Sequence, residues 1–393
     1  MKHKKLCKAM AQWLGLGVVG IQAVHAGGVV TVDSIEDQPQ AGLTTLREAI
    51  ETVNGVPGAF IDFDATLFST PQTITLQNSD LKITAATTII GPGADLLTID
   101  GSDQTRILTI DSGQDEDIEV AISGMTFTRG NGASETDNSR GGCIYTFDNL
   151  TLTESVVTEC NGSNGGGIWS RSSALNIQNS ILSNNSVNNK GGALYRKSGS
   201  ADISNTTIVS NSARKGGGIY LTQAGLILSN STLSNNQGNQ GGGIRLESGS
   251  PRMVIRNSTI FNNIGIGLDV RNTKMSNTII TGNTDGDCVF LITGSDNQNN
   301  LDTDGSCNVE AINHTTVADP RLGPLFDNGG FAPTHIPLNG SPAIDNGDDL
   351  LCLLLDQRGE DRPQDGDGNG TANCDIGAVE GVLNDVVFIN GFE

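Results

Sequence analysis

Along most of the chain, short runs of aliphatic and β-branched residues alternate with polar ones, each run ending at Gly, Asn or Asp. Examples are Leu81-Lys82-Ile83-Thr84, Thr88-Ile89-Ile90-Gly91, Leu97-Thr98-Ile99-Asp100, Ile107-Leu108-Thr109-Ile110 and Ile122-Ser123-Gly124-Met125-Thr126-Phe127. Such runs read as strands and turns. From residue 141 the pattern becomes periodic. Gly141-Gly142-Cys143-Ile144-Tyr145, Gly165-Gly166-Gly167-Ile168-Trp169, Gly191-Gly192-Ala193-Leu194-Tyr195 and Gly216-Gly217-Gly218-Ile219-Tyr220 are followed by Gly241-Gly242-Gly243-Ile244-Arg245 and Gly265-Ile266-Gly267-Leu268-Asp269, with starts 24, 26, 25, 25 and 24 residues apart. A second motif runs out of phase: Asn179-Ser180-Ile181, Asn205-Thr206-Thr207-Ile208, Asn230-Ser231-Thr232-Leu233, Asn257-Ser258-Thr259-Ile260 and Asn277-Thr278-Ile279.

A repeat unit made of short strands, with no helical period inside it, cannot bury its apolar face alone and must stack on its neighbours. The expected fold is all-β: a right-handed parallel β-helix spanning residues 72–300. At ~4.8 Å per layer, about nine coils make a rod on the order of 40 Å long. Asn at a fixed turn position is expected to form a ladder along the axis, and Gly to supply the corners. This ladder also accounts for the Asn-x-Ser/Thr triplets without glycans.

An open solenoid end needs a cap. Thr45-Leu46-Arg47-Glu48 is a capping box, and Leu46, Ala49, Ile50 and Val53 fall at helical spacing, which predicts a helix over 45–54 inside an N-terminal cap of residues 27–71. Residues 1–26 carry Lys2, Lys4, Lys5 and Lys8, an apolar run from Trp13 to Ile21, and Val24-His25-Ala26. They read as a secretory signal peptide cleaved after Ala26, which removes Cys7. No later run approaches ~20 apolar residues, so the mature chain has no expected transmembrane segment. Six cysteines remain in an exported chain, and their positions pair locally as Cys143 with Cys160, Cys288 with Cys307 and Cys352 with Cys374.

The segment Leu43-Thr44-Thr45-Leu46-Arg47-Glu48-Ala49-Ile50, followed by Ala59-Phe60-Ile61-Asp62-Phe63, resembles the CSLREA-type motif of bacterial exported β-helix proteins, with Thr in place of the leading Cys. Residues 301–380 resemble the choice-of-anchor Q domain through Gly323-Pro324-Leu325, Asp327-Asn328-Gly329-Gly330, Gly340-Ser341-Pro342-Ala343-Ile344-Asp345, Asp356-Gln357-Arg358-Gly359, Arg362-Pro363 and Cys374-Asp375-Ile376-Gly377-Ala378-Val379-Glu380. The Gly-Gly repeats are similar to those of polymorphic outer membrane proteins and of the pectate lyase-like superfamily. These resemblances imply a bacterial secreted or cell-surface protein, at the outer membrane or beyond, but no single activity. Residues 381–393 look like a short tail of exported proteins.

Net charge is −21, and its distribution changes the picture. Residues 27–139 hold 4 basic and 18 acidic side chains, residues 140–274 hold 12 and 6, and residues 285–393 hold 3 and 20. The total disfavours a nucleic-acid partner, while the basic middle suits an anionic polymer. All three tyrosines, Tyr145, Tyr195 and Tyr220, share one repeat position with Trp169. The aliphatic residue before each points inward, so period two turns the aromatics outward, either as a structural ladder or as a sugar-stacking platform. Arg140, Lys190 and Lys215 precede the glycines, and Arg171, Arg196 and Lys197 follow the aromatics. Such cations suit uronate or sulfate groups.

The same column continues as Arg245 and Asp269, with Glu247 and Arg271 two residues further on. These four are the acid/base candidates, against the simpler reading of a surface ion-pair cluster. Asp365-Gly366-Asp367-Gly368-Asn369-Gly370 starts like a calcium loop, with Asp375 as its closing ligand. Asp285, Asp287, Asp302 and Asp304 form a second acidic group. No cofactor is required, and calcium is the one ion the sequence suggests. The leading expectation is a monomeric, non-catalytic adhesin or polysaccharide-binding protein. The alternative is a polysaccharide lyase or glycoside hydrolase, and the third reading is a surface spacer.

Overall fold

The computed structural model describes residues 28–381 apart from 78, 133–138, 248–252, 272, 290–296 and 308–311, so the signal peptide and the tail from residue 382 lie outside the described residues. One coil shows the whole plan: strands Ile168–Ser170, Ala174–Gln178, Ile181–Ser183 and Ser186–Lys190 follow one another around the axis. Each pairs in parallel with its counterpart one repeat later, Ile168 with Leu194, Ala174 with Ser200, Ile181 with Thr207 and Ser186 with Ser212. The result is a parallel β-helix. Among the described residues, sheet I, built from the Ala174–Gln178 type of strand, has 11 strands; sheet II, from Ile181–Ser183, has 11; sheet III, from Ser186–Lys190, has 4; and sheet IV, from Ile168–Ser170, has 9. Stacking starts at Val29–Val32 on Phe60–Phe63, well ahead of the expected residue 72, and runs to Thr315–Thr316.

Alternation decides what enters the lumen. Ile144, Ile168, Leu194, Ile219, Ile244 and Leu268 stack in register and are fully buried. Three tight corners per coil demand left-handed backbone. Asn179, Asn205, Asn230, Asn257 and Asn277 take φ of 45°, 50°, 44°, 45° and 47°, conformations that Asn tolerates because its short amide bonds locally. The second corner uses Asn184, Ser210, Asn235 and Asn262, and the third uses Gly165, Gly191, Gly216 and Gly241.

The amide ladder is not where the repeat suggested. A left-handed residue throws its own side chain outward and the next one inward. In the first corner the inward residue is a hydroxyl: Ser155, Ser180, Thr206 and Ser231 each donate a backbone N–H to the hydroxyl above, at 3.3, 3.4, 3.3 and 3.4 Å. The amides stack in the second corner instead. Asn185, Asn211, Asn236 and Asn263 donate both backbone and side-chain N–H to the next Asn Oδ1, at 2.9 to 3.1 Å, and Asn283 ends the row on Asp287. Room for it comes from the small third residue of the motifs, Gly167, Ala193, Gly218 and Gly243: a Cβ at Gly167 would lie 3.2 Å from the Asn185 amide. Where the row begins, the Cys143–Cys160 disulfide fills that space, and the Cys160 N–H donates to Asn185 Oδ1.

The helix forms at Leu46–Gly55 with a complete capping box on Thr45 and Glu48, burying Leu46, Ala49, Ile50 and Val53 over the first strands. Cys288–Cys307 and Cys352–Cys374 pair as expected. Residues 320–381 fold back along sheet II. Thr207 Oγ1 donates to Pro333 O at 2.7 Å, Thr232 Oγ1 to Gln357 Oε1 at 2.6 Å, and the Ala378 N–H to Thr259 Oγ1 at 3.1 Å. His335 donates from Nδ1 to Gly323 O and accepts from Ser234 Oγ, a neutral tautomer that suits a buried ring whose pKa burial pushes down.

Candidate functional site

Three columns of outward side chains line the edge where sheet III meets sheet IV. The first is Arg140, Asn164, Lys190, Lys215 and Gln240, placed one above another by strand register. The second is Tyr145, Trp169, Tyr195, Tyr220, Arg245 and Asp269. Two residues further along each strand, the third holds Phe147, Arg171, Lys197, Thr222, Glu247 and Arg271.

The aromatics point outward but are not open. Trp169 and Tyr220 are 0% exposed and Tyr145 5%, leaving Tyr195 as the one partly open ring. Each ring packs on the next: Tyr145 is stacked on Trp169 at 4.7 Å, Trp169 meets Tyr195 edge-on at 6.2 Å and Tyr195 is tilted against Tyr220 at 5.2 Å between centroids. Cations roof the column, Arg106 over Tyr145 at 4.6 Å, Arg140 over Trp169 at 5.1 Å and Lys190 over Tyr220 at 4.8 Å. The open sugar platform expected from period two is therefore corrected: outward-facing residues one layer apart cover one another, and long side chains from the neighbouring column close the rest.

Arg196 is corrected as well. It lies two residues after Leu194 and so shares its inward face; it is fully buried, donating to Ser170 Oγ and Ser172 Oγ, to Ser172 O at 3.0 Å and to Ser200 O at 2.8 Å. Burial lowers its pKa to about 10, and it meets no ligand. Arg171 is exposed beside Phe147, Asp111, Asp117 and Asp148, and Lys197, Lys190 and Lys215 are half-buried.

Glu247 is the meeting point of the columns. Tyr220 Oη donates to its Oε2, and Lys190 Nζ reaches the same oxygen at 3.5 Å from two coils below. The Tyr220 hydrogen bond, then Lys190 and Lys215, hold the Glu247 carboxyl below the usual range against partial burial. Tyr220 is pushed up by burial and by Glu247, as is Tyr195. Arg245 pairs with Asp269, which is 3% exposed, while Arg271 is exposed at the end of the row.

At the acidic loop, Asp365 and Asp367 come together with Asp345, their carboxylates lying within 4.8 Å of one another. Asp375 does not join them, correcting the expected ligand set. It is fully buried, accepting the N–H groups of Asp345 at 2.7 Å and Gly381 at 2.6 Å, and burial beside Glu380 raises its pKa to about 8. The Asn369 amide donates to Asp367 Oδ2, so its nitrogen faces the carboxylates. Asp345 Oδ2 accepts from Gly366 and Asp367, and Asp365 Oδ1 from Gly368 and Asn369, so a calcium ion would take the remaining lone pairs. In the second acidic group, Asp287 ends the amide row and Asp302 pairs with His314 at 3.1 Å.

Coils, corners and buried columns define a β-helix protein. Residues 107–285 and 168–318 match the family model described as "Right handed beta helix region". Together these matches cover more than half of the chain, which belongs to that family. No curated protein sequence matches significantly. Among solved structures, the pectate lyase Pel9A superposes with a TM-score of 0.55 at 12% identity, covering 90% of this chain and 96% of that one. The Azotobacter vinelandii mannuronan C-5 epimerase AlgE6 A-module gives 0.31 at 12% identity over 70% and 89%, and a PL6 alginate lyase AlyGC mutant gives 0.28 at 12% over 79% and 56%. At such identities the first likeness speaks for the fold alone, and the other two carry no argument.

Proposed function

We propose that this is an exported β-helix protein, free or held at the bacterial surface, that binds an acidic polysaccharide along the cationic edge of sheets III and IV without cleaving it. One observation carries the reading: Lys190 and Lys215 stand in direct register on adjacent strands, with Arg140 two coils below Lys190 in the same column. Like charges directly opposite one another oppose folding; Glu247 offsets part of that cost at one level, and a polyanion laid along the rod would offset the rest. Asn164 and Gln240 offer neutral hydrogen bonds at the remaining levels. The rise per coil, about 4.8 Å, is close to the length of one pyranose unit, so a glycan chain could meet successive coils in phase.

The three disulfides fit an oxidising compartment, and no described helix is long and apolar enough to cross a membrane. A hydrolase that needs a general acid has less support. Asp269 is buried against Arg245, and Glu247 is held ionised, so neither presents a proton-bearing carboxyl beside the edge. Polyuronate, sulfated and neutral oligosaccharides on a glycan array, with reducing-end and unsaturated-product assays alongside, test the proposal. Binding of acidic glycans that Lys190→Glu with Lys215→Glu abolishes, and no product, is expected. Product release would make the protein an enzyme, and silence on every acidic glycan would leave a spacer.

A further inference from the structure

Besides Asp269, which is buried against Arg245, the cationic edge contains one carboxylate that does not belong to its charge pattern. Glu247 enters from the third column, its side chain 36% exposed, and places Oε2 where Tyr220 Oη and Lys190 Nζ converge, with Lys215 near enough to help hold it ionised. An ammonium group and a phenol O–H on one carboxylate oxygen form a carboxylate receptor, with the Lys215 strand in register beside Lys190. Lys190 has extended across the Tyr220 ring to make this contact, at 4.8 Å from its centroid. By contrast, Arg245 in the same face is tied to the buried Asp269 and is not available to compete.

We propose that Glu247 is a built-in surrogate for a ligand carboxylate, and that the Lys190, Lys215 and Tyr220 cluster is a uronate subsite which the incoming sugar occupies by displacing it. This rests on the polysaccharide reading above and narrows it to carboxylated sugars. Displacement is feasible because Glu247 lies just past the end of its strand, Ile244–Leu246, and its side chain is more exposed than that of Lys190, whereas Tyr220 is buried against the Tyr195 ring. When Glu247 swings out, Lys190 is released from across Tyr220 and both lysines face the ligand. The surrogate also keeps the two lysines from repelling each other while the site is empty.

The experiment is calorimetric titration of the folded mature protein with oligogalacturonate, oligomannuronate and fully methyl-esterified oligogalacturonide of equal length. Glu247→Gln keeps an acceptor for Tyr220 but loses the competing charge. It should bind the two acidic oligomers at least tenfold more tightly, with the ester unchanged. Glu154→Gln, at an exposed corner between sheets I and II, controls for the general loss of one negative charge and should change affinity less than twofold. Lys190→Gln should lose acidic binding. A Glu247→Gln protein that binds acidic oligomers no better than Glu154→Gln does would overturn the surrogate while leaving the cationic edge intact. If neither the natural protein nor Glu247→Gln binds an acidic oligomer, the subsite and the polysaccharide reading fall together. Glu247→Ala repeats the test with no acceptor and should show the same gain; a loss there and in Glu247→Gln would make Glu247 a ligand contact instead.

Discussion

Two outward faces of the same coils have opposite fates. Sheet II presents Thr207, Thr232, Ser234 and Thr259, and residues 320–381 cover them permanently, each hydroxyl meeting a fixed carbonyl, amide or imidazole. The edge of sheets III and IV presents Arg140, Lys190, Lys215 and the aromatic stack, and among the described residues no other segment is laid along it. The difference lies in side-chain chemistry. Short neutral hydroxyls lose little hydration and little entropy when buried, so they make a durable seat. Long cations lose much of both, and they remain near the surface, as Lys190 does in reaching across Tyr220 to Glu247. A repeat can thus keep one backbone and assign each face its role through the identity of alternate residues.

The contrast breaks most sharply at the aromatic stack. Trp169→Ala removes a fully buried ring from between Tyr145 and Tyr195, and should destabilise the rod by about 3 to 5 kcal/mol in denaturant unfolding. Loss of glycan binding with unchanged unfolding would show instead that the ring is a contact surface.

Nearly as large an effect is expected on the covered face. Arg362 is 6% exposed as a residue with a fully buried side chain, paired with Glu380 at 3.0 Å and donating to Gly377 O at 2.8 Å and Asp375 O at 3.0 Å. Arg362→Ala removes the cation paired with the Glu380 carboxyl and the donor to the Asp375 and Gly377 carbonyls in a dry seam, which costs about 3 to 5 kcal/mol. Because the pair binds residues 356–381 to one another rather than coil to coil, the loss should appear as protease cleavage within residues 320–381 while the solenoid stays resistant. Simultaneous unfolding of the whole chain would mean that the seam and the coils form one cooperative unit.

The fold was legible because its signals are local and repeated: glycine corners, one aliphatic position per coil and the Thr45 to Glu48 capping box each state their own structure. Chemistry one layer away was less so. Period two correctly turned Trp169 outward but said nothing about Arg140 folding over it. The same rule, carried two residues past Leu194, would have placed Arg196 inside. The amide row went to Asn185 rather than Asn179 because the left-handed residue and its successor exchange roles, which depends on φ and not on residue type. Asp345 was missed at the acidic loop because it is 20 residues from Asp365 and reaches it only through the fold-back on sheet II.

A smaller effect should separate the two faces by pH. Asp375 has its pKa raised to about 8 by burial first and then by Glu380, with the Asp345 and Gly381 N–H groups and Arg362 pulling the other way, and Glu380 is also raised. A carboxyl raised on folding is protonated in the native seam and ionised in the unfolded chain. Its stabilisation is therefore complete below pH ~4 and lost as pH rises through about 8, with a slope of at most ~1.4 kcal/mol per unit. Protease resistance of residues 320–381 should fall between pH 5 and 8.5 and should flatten in Asp375→Asn. A flat profile in the natural protein would mean that Arg362 neutralises the pair.

The smallest expected effect compares one seat with one cation. Thr232→Val deletes the hydroxyl that donates to Gln357 at 2.6 Å, leaving a buried amide oxygen without its donor, at a cost of about 1 to 3 kcal/mol confined to the fold-back segment. Lys215→Gln removes a half-buried ammonium whose nearest charges include Lys190 and Glu247, so attraction and repulsion largely cancel, and the change in stability should stay within about 0.5 kcal/mol. Thermal unfolding of the two variants side by side therefore reads the chemistry of each face. If Lys215→Gln costs as much as Thr232→Val, the lysine holds the coils together and the proposed docking edge is a structural face.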